Sequence, residues 1–136
     1  MKDAYILRGI SGSGKSTLAN ILAVERGIVH STDSYFMVDG VYRFDPSKLA
    51  YNHSANQAAF RDSCKAGFNI VVCDNTNMKH WEMGNYIGFA KDFGYNVHII
   101  LVGNPFSDQH QFDCAARNKH GLTLDIIKKM AAKFEL

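Results

Sequence analysis

Proline, cysteine and long apolar runs are all scarce in this sequence of 136 residues. Only 2 prolines occur, which excludes a collagen-like or mucin-like chain. The 3 cysteines (Cys64, Cys73 and Cys114) are odd in number and lack a Cys-x-x-Cys spacing, so neither a disulfide framework nor a zinc cluster is expected. Apolar runs reach about six residues, against the roughly 20 that a membrane-spanning helix needs. An integral membrane protein is therefore not expected.

A strong charge of either sign and an export signal are also missing. Lys and Arg total 15 against 13 Asp and Glu, and the net charge of +2 is too small to identify a partner. The apolar stretch at residues 4–7 is too short for the h-region of a signal peptide, which together with the cysteine usage predicts a reducing, cytoplasmic location. Hydrophobic residues make up 46% of the chain, and its length suits a single domain over residues 1–136.

Segments with strand-like and helix-like patterns alternate along the chain. Strands are predicted at residues 3–8, 28–30, 69–73 and 96–102, with a tight turn near 38–42. Helices are predicted from 15 to about 26, from 46 to about 65, at 79–93, and at about 108–118 and 124–134. Because parallel strands need crossover connections, this order predicts an α/β fold with a short parallel sheet of about four strands, helices on both faces and a C-terminal helical pair.

Residues 9–16 match the phosphate-loop pattern G-x-x-x-x-G-K-[ST] in full, between a predicted strand and a predicted helix. Glycines let backbone N–H groups turn towards phosphate oxygens, Lys15 reaches the β- and γ-phosphates, and Ser16 offers a hydroxyl to Mg²⁺. The pattern predicts binding of ATP or another NTP with Mg²⁺. The predicted nucleotide contacts are Gly9, Ser11, Gly12, Ser13, Gly14, Lys15, Ser16 and Thr17.

Two carboxylates follow predicted strands, at the sheet edge where α/β proteins bind ligands. Asp33 is positioned to act as a general base towards an acceptor hydroxyl, although capping a helix is the structural alternative. Asp74 closes an apolar strand in the manner of a Walker-B carboxylate, which predicts a Mg²⁺ ligand together with Ser16; a turn-forming residue is the alternative.

Polar residues after Asp74 and near the end of the penultimate helix are further candidates. Asn75, Thr76 and Asn77 are predicted to bind the phosphate or sugar of an acceptor, or else to cap the next helix. A cation on a mobile segment can close over a transferring phosphoryl group, so Arg117 is a candidate catalytic and nucleotide-binding residue. The alternative is an ordinary cation at a helix C-terminus. His120 is a candidate for acceptor binding on the same face.

Two sets of aromatic residues have different interpretations. Trp81, Tyr86, Phe89 and Phe93 recur at helical spacing, which is typical of a core-facing stripe. A second set lies near Asp33 and is compatible either with a hydrophobic lid or core, or with stacking of a nucleobase. Its members are Tyr35, Phe36, Tyr42 and Phe44.

Four segments together resemble the P-loop polynucleotide 5′-hydroxyl kinases and their AAA-like ATPase relatives, over nearly the whole chain. These segments are the phosphate loop and residues 31–33, 74–77 and 116–121. The resemblance implies a three-layer, kinase-type P-loop NTPase fold whose C-terminal helices form a lid. It also implies transfer of the ATP γ-phosphate to the 5′-OH of DNA or RNA, a reaction of nucleic acid repair. Asp33 would then be the general base, Lys15 and Ser16 would contact the nucleotide phosphates and Mg²⁺, and Arg117 would be the lid arginine.

The sequence departs from the phage-type pattern at two cations. Those enzymes carry an Arg one turn after the catalytic Asp, where Phe36 or Met37 stands here, and their second lid Arg falls on His120. Arg43, across the predicted hairpin, is the candidate replacement for the missing cation. The same loop and carboxylate also suit a kinase of a small metabolite or nucleoside. A non-catalytic nucleotide-binding module is a third hypothesis.

Overall fold

Four parallel strands form the central sheet of the computed structural model, which describes all residues from 1 to 136. The strands of the chain are β1 (Asp3–Arg8), β2 (Gly27–His30), β3 (Met37–Val38), β4 (Val41–Tyr42), β5 (Ile70–Asp74) and β6 (Asn96–Leu101). The sheet order is β2-β5-β1-β6, and β3 and β4 form a separate antiparallel hairpin. The predicted parallel sheet of four strands is confirmed.

Five α-helices and two short 3₁₀ segments complete the chain. The helices are α1 (Lys15–Leu22), α2 (Leu49–Ala66), α3 (His80–Asp92), α4 (Asp108–Arg117) and α5 (Leu124–Ala132). The 3₁₀ segments are Thr32–Phe36, directly after β2, and Pro46–Lys48, directly before α2. None of these helices combines the length and hydrophobicity that crossing a membrane requires.

Alternation along β1 produces three layers. Ala4 and Ile6 are buried against residues of α2 and α3, including Phe60 and Tyr86. Leu7 is buried on the opposite face, with Ala19 of α1. Successive strand residues point to opposite faces, so one short apolar strand supplies both hydrophobic contacts.

The structure corrects the predicted end of the first helix. Helix α1 ends at Leu22 instead of reaching residue 26. The chain then turns through Arg26, whose φ of 57° is left-handed, and enters β2 at Gly27. A Cβ on Gly27 would lie 2.6 Å from the Cα of Ala23. This glycine therefore does more than end the helix, because it allows β2 to pass close to the end of α1.

The aromatic stripe of α3 is also only partly a core stripe. Tyr86 is buried, and Phe89 and Phe93 are partly buried against the same cluster. Trp81, in contrast, is 79% exposed. It lies five residues before Tyr86, which at roughly 100° per residue places it about 140° around the helix, away from the core, whereas Met83 in the same first turn is buried.

A buried arginine joins the end of β1 to the C-terminal tail. The Arg8 guanidinium donates through Nε to the carbonyl of Asn77 at 2.9 Å and through Nη2 to that of Met78 at 3.1 Å. The same group donates to the carbonyl of Glu135 and lies 4.8 Å from the centroid of the Phe134 ring. The loop after β5 and the residues after α5 are therefore held by one side chain.

A second buried polar group, the hydroxyl of Tyr86, joins α2 and α3 to the loop after β5. It accepts hydrogen bonds from Nδ2 of Asn56 at 2.8 Å and from Nδ2 of Asn75 at 3.3 Å. Oδ1 of Asn75 accepts from the backbone N–H of Thr32 at 2.9 Å, so the network reaches the residue before Asp33. The hydroxyl therefore fixes the amide nitrogens of Asn56 and Asn75, whereas the buried Oδ1 of Asn56 has no hydrogen-bond partner.

Substitution of Tyr86→Phe tests this network, because it removes the hydroxyl that accepts from the buried amide of Asn56 and the half-buried amide of Asn75. We expect the free energy of unfolding to fall by about 1–3 kcal/mol, measured by urea denaturation. Tyr51→Phe is the matched control, because Tyr51 is 77% exposed, and it should change the stability by less than about 0.5 kcal/mol. Equal stability of the two variants would contradict the assigned role of the network.

Candidate functional site

A polar cavity of about 550 Å³ lies beyond the carboxyl ends of the sheet strands. None of its 15 lining residues is hydrophobic. The lining consists of Ser11, Gly12, Ser13, Gly14, Lys15, Ser16, Thr17, Ser31, Asp33, Asp74, Asn75, Thr76, Arg117, Lys119 and His120. The structure thus brings the phosphate loop, both predicted carboxylates, the candidate lid arginine Arg117 and the acceptor candidate His120 to one place.

The phosphate loop presents the start of α1 to this cavity. Gly14 is the N-cap residue, with a left-handed φ of 104° and no side-chain hydrogen bond to the helix. The first N–H groups of a helix lack intrahelical acceptors, and here no capping side chain takes them. They remain available, with the positive end of the helix dipole, for an anion such as a phosphate.

Lys15 is buried within the loop, with 8% of its surface exposed. Its Nζ donates to the carbonyl oxygens of Gly9 at 3.0 Å and Ile10 at 3.1 Å. Burial lowers the pKa of the ammonium group, whereas the charges of Asp74 and Asp33 oppose that shift. A phosphate in the loop would supply an anionic partner for a cation that now has only neutral acceptors within hydrogen-bond distance.

Ser16 and Asp74 place a hydroxyl and a carboxylate next to each other in the cavity. The Ser16 hydroxyl donates to Oδ2 of Asp74 at 2.8 Å. Burial raises the pKa of Asp74, and the hydrogen bond from Ser16 and the charge of Lys15 oppose the shift. The chain contains no cluster of three His, Cys, Asp or Glu suited to a metal ion. A hydroxyl and one buried carboxylate fit Mg²⁺, which proteins commonly hold through one or two carboxylates together with substrate phosphates.

The Asp33 carboxylate lies in the same cavity and contacts two aromatic side chains. Its Oδ1 accepts from the hydroxyl of Tyr42 at 3.5 Å, and its Oδ2 lies 3.2 Å from Nε2 of His120. The rings of Tyr42 and His120 lie 3.9 Å apart between centroids. Burial and the Asp33 charge raise the pKa of Tyr42 to about 12. Asp33 therefore joins the β3–β4 hairpin to the segment between α4 and α5.

Arg117, the last residue of α4, reaches the phosphate loop. Its Nε donates to the carbonyl oxygen of Gly12 at 2.6 Å. Below it, Ile10 of the loop is buried with Cys114 of α4 and Ile127 of α5. The helical pair α4–α5 thus packs directly on the loop and places a guanidinium group at the cavity.

Three sequence-predicted site residues do not line the cavity. Gly9 contributes its carbonyl to Lys15, and a Cβ there would lie 2.6 Å from Oγ of Ser13, so its role is close packing. The prediction that Asn77 binds an acceptor is contradicted, because its buried Nδ2 donates to the carbonyl of Leu7 at 2.7 Å. Arg43 is exposed and lies outside the lining residues.

Sequence reasoning missed two residues that line the cavity, Ser31 and Lys119. Ser31 belongs to the polar run after β2, and Lys119 lies between the candidates Arg117 and His120, so the sequence did carry a signal for both. Tyr42 is one of the aromatic residues expected near Asp33 as a lid, core or stacking residue, and the structure adds that its hydroxyl contacts the carboxylate.

Residues 5–136 match the family described as an AAA domain. The chain belongs to this family. The AAA domain is 32% identical over 132 residues to human NEDD4-binding protein 2, covering 96% of this chain and 7% of that protein. It is 29% identical over 140 residues to 2′,3′-cyclic-nucleotide 3′-phosphodiesterase of Rattus norvegicus, covering 98% of this chain and 31% of that enzyme. The chain thus spans a minor part of the length of either relative.

Solved structures share the fold of this AAA domain at low sequence identity. A chain of the Pnkp1/Rnl/Hen1 RNA repair complex has a TM-score of 0.69 at 15% identity, over 97% of this chain and 43% of that chain. A gluconokinase from Sinorhizobium meliloti has a TM-score of 0.63 at 15% identity, over 98% of this chain and 75% of that chain. The Mycobacterium tuberculosis APS kinase CysC has a TM-score of 0.60 at 17% identity, over 88% and 70%. The predicted kinase-type P-loop fold is confirmed.

Gly12→Ala tests the packing of the AAA domain's loop against α4. Gly12 has a φ of 85°, and a Cβ there would lie 2.5 Å from the carbonyl oxygen of Cys114. We expect the free energy of unfolding to fall by about 2–5 kcal/mol, from left-handed strain and overpacking together, and ATP binding to weaken.

Gly40→Ala separates these two causes, because Gly40 has a φ of 78° and nothing within 4 Å of the added Cβ. It should cost only the strain, about 1–2 kcal/mol, and leave ATP binding intact. Urea denaturation and calorimetric titration with ATP measure both effects. Equal losses in the two variants would show that α4 does not press on the loop.

Proposed function

We propose that this AAA domain is a Mg²⁺-dependent phosphotransferase that moves the γ-phosphate of ATP to the 5′-OH end of DNA or RNA. The observation that carries the proposal is the presence of Asp33 in the same polar cavity as Lys15 and Arg117. A carboxylate that faces a phosphate site can accept the proton of an attacking hydroxyl. A cavity without hydrophobic lining suits phosphates and a sugar hydroxyl.

In the proposed reaction, a carboxylate oxygen of Asp33 takes the proton of the acceptor hydroxyl as that oxygen bonds to the γ-phosphorus. The bond from the γ-phosphorus to the β–γ bridging oxygen breaks, and ADP leaves. Lys15, the N–H groups at the start of α1 and Arg117 stabilise the charge on the phosphoryl oxygens. Ser16 and Asp74 are the residues that would hold Mg²⁺, which when bound neutralises charge on the β- and γ-phosphates.

Two features support a nucleic acid end as the acceptor. Lys119 and His120 add cationic or hydrogen-bonding groups to the cavity beyond those that the nucleotide needs. A polynucleotide acceptor carries a phosphate next to its terminal sugar, and such groups suit phosphate binding. The fold is also shared with a protein of an RNA repair complex, which supports the proposal as an analogy of fold.

A phosphate-transfer assay with Asp33→Asn tests the reaction. ³²P from γ-labelled ATP should appear on 5′-OH single-stranded DNA, single-stranded RNA or a nicked duplex with Mg²⁺, and EDTA should abolish it. Asp33→Asn should lower kcat by about 10²- to 10⁴-fold, because an amide cannot take the proton. The control Asp39→Asn alters an exposed carboxylate of the hairpin, at a left-handed φ of 51° that Asn tolerates, and should retain activity.

Three outcomes would contradict parts of this proposal. Unchanged transfer by Asp33→Asn would remove Asp33 as the base. No label on any oligonucleotide, together with label on a small alcohol such as gluconate, would reassign the acceptor to a small metabolite. ATP binding without transfer to either class would indicate a non-catalytic nucleotide-binding module.

Arg117→Ala tests the lid arginine separately. We expect kcat to fall by about 10²- to 10³-fold, because charge on the transferring phosphoryl group loses a donor. Arg61→Ala is the control, because Arg61 is exposed on α2 and does not line the cavity. If Arg117→Ala and Arg61→Ala transferred label at the same rate, Arg117 would be only a helix-terminal cation.

A further inference from the structure

A row of rings leads from Asp33 to the surface of the protein. His120 and Tyr42 contact the carboxylate, and their ring centroids lie 3.9 Å apart. Tyr42 is followed by Phe36 at 6.2 Å between centroids, and Phe36 by Phe44 at 5.1 Å. We call Tyr42, Phe36 and Phe44 the aromatic strip.

The strip is fixed at its base and open at its outer end. Phe36 is buried, whereas Phe44 is 53% exposed. Pairing of Met37 with Tyr42 in the hairpin and a 2.8 Å hydrogen bond from the N–H of Arg43 to the carbonyl of Phe36 hold the strip in place. The exposed ring is therefore presented by an ordered support and would lose little entropy on binding a flat partner.

The strip is aromatic, whereas the lining of the cavity is polar. None of the cavity-lining residues is hydrophobic, so a planar base attached to the acceptor finds no apolar surface inside. The strip begins at the candidate base Asp33, where the reacting hydroxyl of the acceptor would lie. It is therefore continuous with the acceptor side of the cavity.

One cation adjoins the strip in sequence, and another lines the cavity at its inner end. Exposed Arg43 lies between Tyr42 and Phe44 in sequence, and Lys119 lines the cavity next to His120. The carboxylate of Asp45, next to Phe44, is engaged by the N–H and hydroxyl of Ser47, at 2.9 and 2.7 Å. Aromatic faces interleaved with cations are the arrangement by which proteins bind single strands without reading their sequence.

We propose that the aromatic strip binds the nucleotides that follow the 5′ end of a single-stranded acceptor, with at least one base stacked on Phe44. This inference rests on the proposed function and narrows it to a substrate class: an unpaired strand several nucleotides long rather than a mononucleotide. Arg43, which was expected to bind the acceptor but lies outside the cavity, would contact a phosphate of that strand there. The stacking surface accepts any base, because every base has a π-face.

Phe44→Ala and Phe44→Leu, assayed on a 5′-OH ten-nucleotide single strand and on a nucleoside 3′-monophosphate, test the proposal. Each variant should raise KM for the strand by about 5- to 150-fold, the effect of losing one stacked base, with kcat unchanged. The mononucleotide, which has no following base, should be phosphorylated as by the wild type. Phe44→Trp should restore the KM, and Trp81→Ala, which removes a 79% exposed ring elsewhere, should leave it unchanged.

Phe44→Leu keeps the apolar packing on Phe36 but removes the flat ring, so it separates stacking from hairpin stability. Equal losses on the strand and the mononucleotide would show that Phe44 only supports the hairpin and would overturn the inference. No loss on either would also overturn it, while leaving the proposed kinase activity intact. Self-association that Phe44→Ala abolishes without changing strand affinity would assign the surface to a second copy, and would also overturn it.

Fluorescence anisotropy of a labelled ten-nucleotide single strand gives a readout that needs no phosphate transfer. Wild type should bind the strand more tightly than either Phe44→Ala or Phe44→Leu, by a similar factor. If no acceptor is phosphorylated but this difference persists, the proposed function fails and the stacking surface stands. If the three proteins bind the strand equally, the stacking surface fails whatever the activity is.

Discussion

The buried ammonium group of Lys15 is the charge around which this site is arranged. Burial lowers its pKa, the charges of Asp74 and Asp33 act against that shift, and the carbonyl groups of Gly9 and Ile10 accept hydrogen bonds from it. Each of these partners arrives from a different element: the loop after β1, the end of β5 and the 3₁₀ segment after β2. Burying a cation costs free energy unless it has polar or charged partners. The site therefore depends on the fold bringing these partners together at the sheet edge.

The fold itself could be predicted from the sequence because its signals are local. Alternating strands and helices, a phosphate loop between β1 and α1, and carboxylates directly after β2 and at the end of β5 all depend on residues close in the chain. Parallel pairing then brings Asp33 and Asp74 to one edge without any further information. These are the features on which the expectations and the structure agree.

The errors concern side chains whose role depends on distant partners. Asn77 satisfies a buried carbonyl of β1, and an asparagine with that role cannot be told from a ligand-binding one by its position after Asp74. Trp81 belongs to the aromatic stripe by sequence, but its five-residue offset from Tyr86 places it on the exposed side of α3. The hydroxyl contact of Tyr42 with Asp33, which the residue pattern left open, forms only because a two-residue strand pair folds Tyr42 back. Each of these contacts depends on three-dimensional packing.

The packing of Gly12 against α4 has a consequence for motion. The carbonyl of Cys114 lies close to Gly12, and Arg117 donates to the carbonyl oxygen of Gly12, so α4 packs directly against the phosphate loop. Rotation of α4 as a hinged flap would therefore drag the loop with it. The connection from α4 to α5 is braced as well, because the side chain of Asn118 donates to the carbonyl oxygens of Cys114, Ala115 and Leu122 and accepts from the N–H groups of His120 and Leu122. Loop, helix and connection therefore form one mechanical unit, and a change of shape at the site has to involve all three together.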